Sequence, residues 1–190
     1  METKVARKYF GLADFLEEQA YLEQQHADGW KFVRFQGLTK YTFEKCNPEQ
    51  YIYQLDYKED DKDNDEYIQM FVDCGWEYIM KYQTWYYFRK PKSDISSQDN
   101  GIFTDKESKI EMMKKVMTKL LIPTAICLCF PGMLFLTRAI DFNDKDIVYI
   151  CIISFYAIVM TFLLSISVYN VIKLNKLIQV TKYPIDEDNE

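Results

Sequence analysis

Gly29-Trp30-Lys31-Phe32-Val33 and, 46 residues on, Gly75-Trp76-Glu77-Tyr78-Ile79 are two copies of one phrase. Each follows a helix-like run and leads into an aromatic and basic segment. That segment is Tyr41-Thr42-Phe43-Glu44-Lys45 in the first copy and Tyr86-Tyr87-Phe88-Arg89-Lys90 in the second. A supersecondary unit repeated in fixed order predicts one duplicated domain.

Working outward from the first phrase, a strand is expected near Val5–Phe10. Asp14 can cap a following helix, with Glu17 completing a capping-box pattern. Phe15, Gln19, Leu22 and His26 fall on one helical stripe, and Gly29 ends the helix because glycine readily takes the left-handed conformation. Trp30–Gln36 and Lys40–Lys45 then read as a hairpin around Gly37-Leu38-Thr39. The second copy repeats the order: strand Tyr51–Tyr57, helix Asp65–Cys74, Gly75, then a hairpin of Trp76–Tyr82 and Trp85–Lys90. Two strand-helix-strand-strand units make an α+β fold, antiparallel-rich, with helices on one sheet face. A ferredoxin-like fold is the alternative if one strand is misassigned. Gly29, Trp30, Gly75 and Trp76 are the expected structural anchors.

Strand alternation puts Trp76, Tyr78, Met80 and Tyr82 on one face, and likewise Tyr51, Tyr53, Leu55 and Tyr57. The opposite parity also carries bulky groups, whereas a one-sided sheet has a polar outer face. Two explanations stand. Aromatics are good strand formers and tyrosine tolerates half-exposure. Alternatively Tyr51, Tyr53, Tyr57, Tyr78, Tyr82 and Trp85 form an exposed surface for a ligand, a protein partner or a second copy.

Composition narrows the chemistry. Residues 1–100 hold 13 Lys/Arg against 19 Asp/Glu, which argues against nucleic-acid binding. The acidic run Glu59–Glu66 lacks the glycine and glutamate of a calcium loop. Five cysteines without a Cys-x-x-Cys, and a single histidine, give no zinc ligand set, so no metal and no cofactor are expected. Glycine-rich phosphate loops and a nucleophile elbow are missing, His26 reads as a surface or capping residue, and Glu17/Glu18 read as solvated charges. No catalytic residue is assigned, and no enzyme activity is expected.

The second half is different. Leu120–Thr137 is 18 residues without a charge and Ile147–Ile172 is 26, against roughly 20 needed to span a bilayer. For the first block, with Pro123, Pro131 and Gly132, a buried or re-entrant segment is the alternative. Eight lysines flank the pair on the outside, whereas the connecting loop has two basic residues, so both termini are expected in the cytoplasm. The expected layout is a cytoplasmic duplicated domain (1–92), a polar linker and juxtamembrane helix (93–119), transmembrane helix 1 (120–138), an external loop (139–146), transmembrane helix 2 (147–172) and a cytoplasmic tail (173–190). A multi-pass cell-membrane protein with the bilayer as partner follows. With no charge inside either span, the pair reads as an anchor rather than a pore.

The repeated Gly-Trp phrases, the strand Tyr51-Ile52-Tyr53-Gln54-Leu55-Asp56-Tyr57, and Asp73-Cys74-Gly75-Trp76-Glu77-Tyr78 before Trp85-Tyr86-Tyr87-Phe88 resemble the domain of unknown function 2812 family over residues 7–92. The resemblance implies a bacterial membrane protein, often encoded beside PadR-like regulators, and hence a regulator-controlled envelope or stress response. It implies no reaction. The expected function is a membrane-anchored interaction or sensory module, with a small accessory subunit of an export or drug-resistance system as the alternative.

Overall fold

The computed structural model describes residues 2–59, 64–94, 106–138 and 147–182. The chain divides into two compact units, Met1–Met112 and Met113–Glu190. The expected external loop, most of the linker, the core of the acidic run and the end of the tail lie outside the described residues.

In the first unit the order is β1 (Thr3–Arg7), α1 (Phe15–Ala27), β2 (Trp30–Gln36), β3 (Lys40–Lys45), β4 (Tyr51–Tyr57), α2 (Asn64–Asp73), β5 (Glu77–Tyr82) and β6 (Trp85–Pro91). Each repeat forms its own three-stranded antiparallel sheet, ordered β1-β3-β2 in the first and β4-β6-β5 in the second. The duplicated α+β architecture is therefore as expected. β1 ends at Arg7, three residues before the expected Phe10. Beyond it the Gly11 N–H donates to Asp14 Oδ2 at 2.8 Å. This turn commits the Asp14 carboxylate to the preceding loop, and the expected capping box does not form.

Both helices end as glycine dictates. Gly29 has φ +85° and Gly75 +79°. The Trp76 N–H reaches back to the Phe71 carbonyl at 3.0 Å, closing a Schellman turn. Trp30 and Trp76 are half-buried. Trp30 lies under the Lys4 and Lys45 ammonium groups, and Trp76 packs beside Phe71, Tyr86 and Phe88.

A bulge falls at the same place in each hairpin, between Phe32 and Arg34 in β2 and between Tyr78 and Met80 in β5. One extra residue reverses side-chain parity beyond it. The expected single face of Trp76, Tyr78, Met80 and Tyr82 is corrected accordingly. Tyr78 pairs with Phe88, while Met80 pairs with Tyr87 and Tyr82 with Trp85 on the opposite face.

α2 covers the Phe88 face of the second sheet, where Phe71 and Phe88 stack at 3.9 Å. α1 contacts both sheets, through β2 and β4. Phe15 stacks on Trp85, Leu22 is fully buried, and Phe32 packs against Tyr87. The second sheet is thus covered on both faces. Among the described residues the first is covered by α1 on one face; its outer face carries Thr3, Val5, Arg7 and Arg34, all exposed, around the buried Thr42. Tyr53, Tyr57 and Trp85 are buried at 1, 8 and 7 % exposure and form an internal layer, whereas Tyr51, Tyr78 and Tyr82 are half-buried.

α3 (Lys106–Arg138) begins in the first unit; its part from Met113 on belongs, with α4 (Ile147–Lys182), to the second. The Thr124 hydroxyl bonds back to the Leu120 carbonyl at 2.8 Å and lies 3.3 Å from the Ser167 hydroxyl, tying α3 to α4. Among the described residues one helical segment, Ser154–Lys182, is long and apolar enough to cross a membrane, not the two expected. Most of the first apolar block, from residue 127 on, lies outside the residues whose side chains are described.

Candidate functional site

α1 carries Phe15 and Glu18 one turn apart on the stripe that continues to Leu22 and His26. That stripe faces the gap between the repeats and brings two polar centres into it.

The first centre is Glu18, which is 8 % exposed. The Tyr41 hydroxyl of β3 and the Tyr87 hydroxyl of β6 both donate to Glu18 Oε1, at 2.8 and 2.9 Å. One carboxylate oxygen therefore joins the two sheets. Burial raises the Glu18 pKa above the usual carboxylate range; the two tyrosine hydroxyls act against this and Asp14 adds to it. The same burial, with the carboxylate close by, pushes both tyrosines well above their ordinary value.

A cavity of about 210 Å³ opens over this carboxylate. Its walls come from both copies: Phe35 and Tyr41 from the first sheet, Tyr82, Trp85 and Tyr87 from the second, and Phe15 from α1. Phe35 lies 4.7 Å from both Tyr41 and Tyr82, edge-on to the latter. The rim is the β1–α1 loop, Tyr9 to Leu12, with Leu38 and Gln83 of the two hairpin turns. Those turns match, since Gly37 has φ +65° and Gln83 +54°. They are joined where the Tyr82 hydroxyl donates to the Gly37 carbonyl. The Phe35 N–H also points to Met80 Sδ at 3.1 Å, a second link between β2 and β5.

The second centre lies at the other end of α1. The His26 ring stacks on Tyr51 at 4.0 Å, and its Nδ1 is 2.9 Å from the Tyr53 hydroxyl. The Tyr53 oxygen also accepts from the Phe32 N–H at 3.3 Å. Burial, then the nearby Arg89 charge, lowers the His26 pKa to about 4. Arg89 donates to the Phe32 carbonyl at 3.1 Å and makes a two-point ion pair with Glu77, whose carboxyl that hydrogen bond holds below the usual range. Every partner here is a fold-internal group, and this centre reads as a structural lock.

The six residues expected on a partner surface are thus dispersed. Tyr82 and Trp85 line the cavity; Tyr51 and Tyr53 belong to the His26 centre. Tyr57 packs against Trp85 and donates to Glu59, with burial and that carboxylate pushing its pKa up to about 12. Tyr78 packs on Phe88 beneath α2. Two residues were misread from sequence: Glu18 is buried rather than solvated, and His26, at 4 % exposure, is no surface cap. The helical period contained the signal, because positions 15, 18, 22 and 26 form one stripe. Among the described residues no group of His, Cys, Asp or Glu is arranged to hold a metal.

A family model described as "Protein of unknown function (DUF2812)" matches residues 14–125. No curated protein and no solved structure matches the chain.

Proposed function

We propose that this chain, which belongs to the DUF2812 family, is a membrane-anchored sensory module that binds a small ligand between its two repeats. The carrying observation is the aromatic cavity over Glu18, walled by both copies and floored by the helix between them. Ligand sites favour concave apolar surfaces with a few convergent polar groups, and a buried titratable group in a cavity marks a candidate site. Occupancy would couple the two sheets through groups that already join them.

The anchor reading rests on α4. Phe155, Ile158, Phe162, Ile166, Tyr169 and Ile172, three or four residues apart, are all exposed. Such a stripe suits hydrocarbon better than water. With two spans, 120–138 and 147–172, the lysine distribution favours both termini in the cytoplasm. The stripe also suits packing against a larger multi-span protein, the accessory-subunit reading.

The test uses the full chain. It should stay with membranes after an alkaline carbonate wash and enter detergent only. In detergent, a screen of small aromatic compounds by thermal shift should find ligands that raise the melting temperature, as binding to the folded state requires. Phe35→Trp, which fills the cavity, should remove those shifts. Release by carbonate would refute the anchor; shifts that survive Phe35→Trp would refute the site.

A further inference from the structure

We infer that the cavity between the repeats takes a small organic cation, an ammonium bearing an apolar group, with Glu18 as its counter-ion. The inference rests on the reading of this cavity as a ligand site and adds the class of ligand.

Glu18 is more than nine-tenths buried and lines the cavity. Both tyrosine hydroxyls donate to Oε1, and among the described residues no hydrogen bond or ion pair reaches Oε2. Among the described residues no lysine or arginine lines the cavity. The side-chain charge that acts on the carboxylate is that of Asp14, of the same sign. Lys8, on the strand side of the rim loop, is instead seated over the Tyr21 ring at 4.2 Å. A buried carboxylate without a cationic partner is an unusual expense for a fold, because buried charges are normally paired.

The walls complete the match. Aromatic rings attract cations through their negatively polarised faces, and quaternary ammonium ions are recognised by such cages. Here Phe15, Phe35, Tyr82 and Trp85 surround the space above the carboxylate. An anion would meet Glu18 directly, and a neutral guest would leave its charge uncompensated. At about 210 Å³ the space falls below the roughly 300–1,000 Å³ of drug-sized sites, which limits the guest to one ring or a short branched chain beside the charge.

Three probes of similar size separate charge from shape: benzylammonium, benzyl alcohol and benzoate. Each is titrated calorimetrically into the detergent-solubilised full chain, into Glu18→Gln and into the cavity-filling Phe35→Trp. Benzylammonium should bind at least tenfold more tightly than benzyl alcohol, with benzoate weakest. Glu18→Gln keeps an oxygen for both tyrosine hydroxyls and should bring benzylammonium down to the level of the alcohol. If benzyl alcohol or benzoate binds as tightly as the cation, or Glu18→Gln leaves the cation's affinity unchanged, the cation inference fails. The ligand-site reading then stands, provided Phe35→Trp abolishes binding. If none of the probes binds, both fail. The ranking on the unaltered chain decides the question even if Glu18→Gln does not fold.

Discussion

The two repeats share strand order, a helix-ending glycine, a bulge and a left-handed hairpin turn, yet their equivalent sheet faces have opposite fates. In the first sheet the face away from its own helix carries Thr3, Val5, Arg7 and Arg34 and meets solvent. In the second, the equivalent face carries Tyr53, Leu55, Tyr57 and Tyr87 and is buried against α1. One cross-strand ion pair recurs with its charges exchanged. Lys31–Glu44, at 3.3 Å, is partly exposed on the first sheet; Glu77–Arg89 on the second has its arginine side chain 10 % exposed. Identical units packed front to back cannot bury the same surface twice. The second copy has an aromatic back where the first has a polar one, and the junction creates the cavity.

The largest expected effect breaks this comparison at matched positions. Leu55→Ala, in the buried pair with Tyr87, should cost about 2–5 kcal/mol in chemical denaturation. Val5→Ala, in the equivalent pair with Thr42, should change stability by no more than about 0.5 kcal/mol. Equal losses would mean that the outer face of the first sheet is covered.

Next come the two glycines. Both require left-handed backbone, so alanine costs about 1–2 kcal/mol at either. A Cβ at Gly29 would also stand 3.1 Å from the Cys46 carbonyl, which is backbone and cannot swing away. At Gly75 it would meet only the flexible end of Lys90 at 3.4 Å. Gly29→Ala should therefore lower the melting temperature more than Gly75→Ala.

The two buried groups of α1 should give opposite pH slopes. His26 is held neutral, its pKa lowered to about 4, so its contribution is full above about 6.5 and lost as pH falls towards 4. Glu18 is raised, so the folded state holds its proton longer than the unfolded chain, and stability falls as pH rises through its window. Glu18→Gln should then gain about 1 kcal/mol at neutral pH without ligand. His26→Gln should flatten the acid limb of a stability–pH profile. A loss at neutral pH in Glu18→Gln would show that the ionised carboxylate already has a compensating charge.

The smallest effect sits on the first sheet, where Thr42 Oγ1 is buried without a hydrogen-bond partner among the described residues. Thr42→Val should be neutral or stabilising by about 0.5–1 kcal/mol, since it removes an unsatisfied polar atom at constant shape.

Much of the first unit was legible in the chain. The Gly-Trp phrases announced both helix ends because positive φ favours glycine, and both hairpins lay within a residue of the expected bounds. The candidate site was not legible. A bulge at Ile79 leaves little mark in sequence, yet it moves Tyr82 to the face opposite Tyr78. Glu18 looked like an ordinary helix-surface charge because its burial depends on Tyr41 and Tyr87, 23 and 69 residues away.

Local rules determined the elements: glycine ends the helices, alternation makes strands, and repeated order makes two like sheets. The apolar character of the second half was equally local, since hydropathy is summed over neighbours in sequence. Tertiary structure alone decided which tyrosines face inward, which carboxylate is desolvated, and that one helix serves both sheets. Those outcomes follow from docking one repeat on the other, and burial there is shared between residues far apart in the chain.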